Sequence, residues 1–193
     1  MATENPKPEE RQSTVSWLIE TVLLVAAAFV LAMGIRTFLI DTRVIPSGSM
    51  EPTIHVGDRV LVDRLGYRFH PIRRGDIVVF HNWTPGQPDL IKRVIGLSGE
   101  TVAMDGQGQF TINGKPLNEP YLTAEARRTI PGALLPLRVP DNAIFVMGDN
   151  RNNSGDSRFN GPVLRRSVLG RAFFTYWPPK DWRSLTGEAP TIK

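Results

Sequence analysis

The run Ile45-Pro46-Ser47-Gly48-Ser49-Met50-Glu51-Pro52-Thr53 sets two serine hydroxyls on either side of a glycine, with a proline on each flank. The prolines restrict the backbone, and Gly48 lets the main chain come close to a ligand. Such a loop can hold one hydroxyl as a nucleophile and another beside it as a hydrogen-bond donor. A serine nucleophile needs a base. Of the 18 Arg and 5 Lys in the chain, the arginines stay charged and cannot serve. Lys7, Lys115, Lys180 and Lys193 read as loop or tail residues. Lys92 stands inside Leu90-Ile91-Lys92-Arg93-Val94-Ile95. As a strand, that run alternates its side chains, so Lys92 shares a face with Leu90 and Val94 while Arg93 points the other way. Burial among apolar neighbours lowers a lysine pKa toward neutrality. A third run, residues 148–158 (GDNRNNSGDSR), is dense in groups that bond backbone and side chains. Taken singly, the three have ordinary readings: a Ser/Pro/Gly turn, a strand lysine reaching solvent, and a polar loop.

Other chemistries find little support. There is no HExxH, no Gly-rich phosphate loop and no GxSxG elbow. His55, His70 and His81 are scattered among turn residues, and the acids of 148–158 miss the spacing of a calcium loop. The absence of cysteine excludes disulfides, thiolate catalysis and cysteine-bound metal. A net charge of +4 without a block of Lys or Arg argues against nucleic acid as a partner.

The elements that must position these residues follow from texture. Residues 1–14 are polar and read as a disordered tail. Residues 15–40 are strongly apolar, with an uncharged centre at 21–35 bracketed by Glu20 and Arg36. The centre alone would reach only ~22 Å as a helix, short of the ~30 Å hydrocarbon core. The full stretch suffices if Glu20 and Arg36 lie at the interfaces, with Trp17 and Phe38 anchoring the ends. A permanent membrane anchor is the favoured reading. A signal peptide cleaved near Ala32-Met33-Gly34 and a buried core helix are the alternatives. The segment ahead of the apolar run is not basic, which argues against the first alternative and leaves orientation unassigned by charge.

From residue 41 on, short apolar runs alternate with Gly, Pro, Asn and Asp. Strands are expected at 59–62, 76–80, 90–95, 101–104, 109–112, 143–147 and 167–176, with hairpin signals at Asp105-Gly106 and Asn113-Gly114. Residues 115–140 are proline-rich and read as a loop-rich insertion. The expected class is mainly β, a folded antiparallel sheet or barrel-like domain over 41–193 with one N-terminal transmembrane helix.

Together with the apolar start, PSGSMEPT (46–53), RGDIVVF (74–80), IKRVIGLSGE (91–100) and GDNRNNSGDSR (148–158) resemble, in order and spacing, the bacterial type I signal peptidases, serine proteases with a Ser–Lys dyad. The resemblance implies Ser49 as nucleophile and Lys92 as general base. It implies an oxyanion hole from the Ser47 hydroxyl and the Ser49 backbone N–H, and Ser154 as the residue orienting the lysine. Asp156, Arg158, Arg93 and Asp149 correspond to the polar network behind the site. No metal or organic cofactor is implied. The implied substrates are secretory preproteins whose signal peptides carry small residues at −1 and −3. The implied setting is the bacterial plasma membrane, crossed once, near the secretion translocon, with residues 41–193 on the outer side. An extended peptide would add as a strand beside the segment before Ser49 and the strand of Lys92, with Ile45, Pro46, Leu90 and Ile91 lining shallow pockets. The chain departs from the pattern at Asn152, where many members have Asp, and at Phe159-Asn160-Gly161, where an aromatic usually directly precedes Gly. A self-cleaving repressor also uses a Ser–Lys pair, but the apolar segment occupies the place of its DNA-binding domain. The rival of another class is an anchored, non-catalytic β-domain that binds peptides.

Overall fold

The computed structural model describes residues 14–105, 108–127, 135–187 and 189–192. The tail at 1–13, Gly106 of the first hairpin signal, part of the proline-rich segment (128–134) and Lys193 lie outside the described residues. The chain divides into two compact units, 1–37 and 38–193.

The first unit is one helix, α1, Thr14–Phe38. Over Ser16–Gly34 it is strongly apolar, with Glu20 the one charged residue, and none of that window is buried against protein. A helix apolar on all sides belongs in a core or a bilayer, and the exposure of Leu24, Phe29 and Val30 leaves the core reading without support. The 19 residues of that window rise ~28 Å, close to the thickness of a hydrocarbon core. The expected stretch 15–40 runs too far at its end, because Ile40 already belongs to a strand.

The second unit is antiparallel β-sheet. Its strands are β1 (Ile40–Val44), β2 (Arg59–Asp63), β3 (Ile77–Phe80), β4 (Leu90–Gly96), β5 (Thr101–Met104), β6 (Phe110–Ile112), β7 (Lys115–Asn118), β8 (Leu137–Arg138), β9 (Ala143–Met147), β10 (Val163–Leu164), β11 (Val168–Trp177), β12 (Arg183–Ser184) and β13 (Thr191–Ile192). One sheet runs β1-β2-β11-β3-β4-β9-β10, with β12 beside β11; the other runs β13-β7-β6-β5-β8. Two short helices, α2 (Gly66–Phe69) and α3 (Ser157–Asn160), complete the unit.

β3 and β4 are buried on both faces, which explains their unbroken apolar character. Ile77, Val79 and Ile91 join Ile45, Met50, Ile54, Val60 and Val62 on one face. Val78, Phe80 and Val94 join Ile144, Val146 and Val163 on the other. Ile95, Phe145 and Met147 pack with Val102, Phe110 and Ile112, which couples the two sheets. Gly96 permits that coupling, since a Cβ there would lie 2.6 Å from Val102 Cγ2.

All seven expected strands are present, with ends shifted by a residue or so. Asn113 and Gly114 both take positive φ, as a two-residue hairpin turn requires. The segment 115–140, expected to be loop-rich, also holds two short strands: β7, where the Asn113-Gly114 turn folds the chain back on β6 and buries Leu117, and β8, which pairs with β5.

Candidate active site

β4 delivers Lys92 and Arg93 to opposite faces of the larger sheet. The serine loop leaves β1 and is pinned at both ends. Ile45 N donates to Asp58 O at 2.9 Å, Gly57 N to Ile45 O at 2.9 Å, and the Met50 and Ile54 side chains are fully buried. Between these anchors a single 3-10 turn, Gly48–Met50, presents Ser49.

Lys92 Nζ lies 2.7 Å from Ser49 Oγ and donates to it, and it donates to Ile91 O at 2.9 Å. Lys92 is 3% exposed and Ser49 7%. Burial lowers the lysine pKa from 10.5 to about 8, while the carboxylates of Asp156 and Asp149 oppose the shift. The amine therefore gives up its proton at mildly alkaline pH, about 8, rather than above 10. Once neutral, it can accept the serine proton across the same 2.7 Å contact. The pair can perform acyl transfer.

Behind it stands a set of buried ion pairs. Arg93 grips Asp149 with two bonds, at 2.9 and 2.7 Å, and also donates to Gly75 O at 3.2 Å. Thr53 Oγ1 donates to the same carboxylate. Arg158 grips Asp156 at 2.8 and 2.9 Å, and Gly148 N donates to Asp156 at 2.9 Å. Arg151 pairs with Glu119, with one of the two bonds at 3.0 Å, and donates to Gly148 O at 2.9 Å. Tyr121 donates to Glu119 at 2.7 Å and lies under the Arg93 guanidinium, 4.0 Å from its ring centre. Each charge is paired and bonded, as burial demands.

Of the residues expected in the site, Ser49, Lys92, Arg93, Asp149, Asp156 and Arg158 are brought together. Ser154 differs from expectation. Its hydroxyl donates to Asp156 at 2.7 Å and makes no bond to Lys92. A buried carboxylate is the stronger acceptor and attracts the Ser154 hydrogen bond. Ser154 is still close, because a Cβ on Gly148 would run into both its Oγ and Ser49 O. Ser47 is exposed, and its hydroxyl forms no hydrogen bond among the described residues. Among the expected pocket residues, Ile45 and Ile91 share one apolar cluster, Pro46 is exposed, and Leu90 packs on the opposite face with Phe80.

Reading the sequence did not single out Asn150, Arg151, Thr53, Glu119 or Tyr121. Asn150 ties the two loops together, N–H to Ser49 O at 3.1 Å and Nδ2 to Gly48 O at 3.1 Å. It and Arg151 lie inside the polar run and could have been found there. Glu119 and Tyr121 lie in the proline-rich segment, where no local pattern marks them.

A β fold that buries a serine hydroxyl against a lysine amine has the architecture of a serine hydrolase with a lysine partner. A sequence profile for signal peptidase, peptidase S26, matches residues 18–177. Signal peptidase I of Leptolyngbya laminosa is 46% identical over 168 residues, covering 83% of this chain and 80% of that protein. A probable signal peptidase I-2 of Synechocystis is 40% identical over 191 residues, with coverages of 96% and 85%. Signal peptidase I of Bacillus amyloliquefaciens is 36% identical over 190 residues, with coverages of 95% and 98%. The chain belongs to the signal peptidase family, peptidase S26, and is a hydrolase of the serine peptidase class.

Proposed function

We propose that this chain removes N-terminal signal peptides from exported preproteins, with Ser49 as nucleophile and Lys92 as general base. The observation that carries the reading is the buried 2.7 Å contact between the two side chains. Neutral Lys92 takes the Ser49 proton as Oγ attacks the scissile carbonyl. The Ser49 amide and the exposed Ser47 hydroxyl hold the oxyanion; losing one such donor costs ~2.7–4 kcal/mol of transition-state stabilisation. Lys92 then returns the proton to the leaving amine, and water hydrolyses the acyl-enzyme. Asp149 and Asp156, with Arg93 and Arg158, keep the loops in place, and Ser154 acts on the lysine through Asp156. No cofactor takes part.

The peptide docks as an added strand. β4 pairs with β3 from Leu90, but its pairing with β9 begins only at Arg93, so Leu90–Lys92 have an unpaired flank. β1 is an edge strand, and Arg43 on it reaches Asp89 beside β4 at 3.1 Å. The margin of β1 and the start of β4 thus approach each other next to Ser49, and Ile45, Pro46, Leu90 and Ile91 border the gap. The signal peptides taken as substrates carry small residues at −1 and −3.

α1 anchors the enzyme in the bacterial plasma membrane as a single span, with the β unit on the outer side near the translocon. Anchoring raises the effective concentration of membrane-held signal peptides. A non-catalytic peptide binder would have no use for a lysine buried against a serine hydroxyl.

Cleavage of a reporter preprotein tests the reading. Ser49→Ala and Lys92→Arg should each reduce turnover to background while leaving the circular dichroism unchanged. Wild-type turnover by either variant would end the assignment.

A further inference from the structure

Helix α2 follows β2 directly, and its short turn is firmly held. Asp63 Oδ1 accepts Leu65 N–H at 3.0 Å and Gly66 N–H at 2.8 Å. Tyr67 turns inward, packs beside Ile72 and Phe80, and donates to Asp76 at 3.0 Å. The side chains that cannot follow it inward are Arg68 and Phe69. Phe69 is 84% exposed, the most exposed large apolar side chain among the described residues. Arg64 and Arg68 are exposed beside it, and Arg165 reaches the α2 backbone, donating to Tyr67 O at 3.4 Å. None of these three arginines forms an ion pair among the described residues. The nearby acids are engaged elsewhere: Asp63 caps the turn, and Asp76 bonds Tyr67 and faces Arg171.

Chain connectivity says what this patch meets. Arg64 N donates to Leu39 O at 3.1 Å, and Ile40 pairs with Asp63. Leu39, itself 41% exposed, is the residue after the end of α1. Arg36, the first charge after the uncharged run 21–35, stands three residues before Leu39, a helical rise of ~5 Å. Phe69, which is uncovered among the described residues, and the exposed Arg64, Arg68 and Arg165 thus belong to an element that follows the strand paired with the first residues after α1.

We propose that α2 is a membrane-docking element: Phe69 inserts at the acyl–headgroup boundary, and Arg64, Arg68 and Arg165 bind the phosphates of anionic phospholipids. Guanidinium groups suit phosphate, and aromatic rings suit the interface. The proposal rests on α1 being a membrane anchor. It adds a second, lipid-selective contact made by the catalytic unit itself.

The chain has no cysteine, so a Phe69→Cys variant of the full-length protein accepts a single polarity-sensitive fluorophore of similar bulk. The labelled protein is reconstituted into phosphatidylcholine vesicles with and without one-third phosphatidylglycerol. Lipid contact is read by emission wavelength and by quenching from nitroxide-bearing lipids. Nitroxide quenching should be at least twofold stronger in the anionic vesicles, with a shift of emission to the blue. Replacing Arg64, Arg68 and Arg165 together by Gln should erase the difference. Equal, water-like emission in both vesicle types, or a response to phosphatidylglycerol that survives the triple replacement, overturns the proposal. Flotation with the vesicles separates the two readings. A chain that does not float refutes the anchor and this proposal with it, whereas a chain that floats with residue 69 in water refutes this proposal alone.

Discussion

At the scale of the residue, Lys92 must be uncharged to act, and its pKa of about 8 sets when that happens. In a pH series, kcat/KM should rise about tenfold per pH unit below that value and level off above it. A flat profile from pH 5 to 9 would exclude Lys92 as the base. The same shift enters stability. The unfolded lysine binds its proton below 10.5 and the folded one only below about 8, so stability rises with pH between those values. Below the lower value the full penalty, about 3 kcal/mol, is present. Lys92→Met removes the charge while roughly keeping the bulk. It should be more stable than wild type at pH 7, with the gain shrinking toward pH 10.5, as denaturant titrations at the two pH values would register. An inactive variant with a stabilised fold is what a functional buried amine predicts.

At the scale of the element, β4 and the loop after β9 act together. Gly148 passes between Ser49 and Ser154 with no room for a side chain. Gly148→Ala should push the serine loop off Lys92 and lower kcat by two orders of magnitude or more, with KM changing less. Steady-state kinetics would separate the two effects. The ion pairs that hold this loop have a different signature. Removing Asp149 leaves the Arg93 guanidinium buried without its main carboxylate, a change that typically costs 3–5 kcal/mol. Glu119→Ala should destabilise by a similar amount through Arg151, although Glu119 touches neither Ser49 nor Lys92. Thermal unfolding would rank the two variants together. A neutral Glu119→Ala would mean that Arg151 holds Gly148 O unaided.

At the scale of the whole molecule, the chain divides at residue 37 into an apolar helix and a β unit with four apolar clusters among its described residues. Removal of residues 1–37 should leave a soluble unit that still cleaves short peptides but turns over membrane-held preproteins much more slowly. Comparing the two substrates would test this, and equal losses on both would tie α1 to the fold of the β unit. The strands of that unit were legible because each is a local pattern: apolar runs of four to seven residues, bounded by turn formers. β7 escaped notice because its lone buried apolar side chain, Leu117, follows a proline and carries no period. β1 escaped because Ile40 continues the apolar run of the helix. Among site residues, Ser49 and Lys92 stand out by type and setting, whereas Glu119 looks like any loop acid.

What the sequence by itself determined is which groups were available: one rigid pair of serines, one lysine among apolar neighbours, a polar loop after a buried strand, and a helix apolar on every side. Such features depend on residues close along the chain. Only the tertiary structure decided that Lys92 meets a serine 43 residues away, that Ser154 donates its hydrogen bond to Asp156, and that Glu119 braces the loop through Arg151. Burial and long-range pairing are properties of the packed sheet. They lower the lysine's pKa, and no local pattern of residues carries that information.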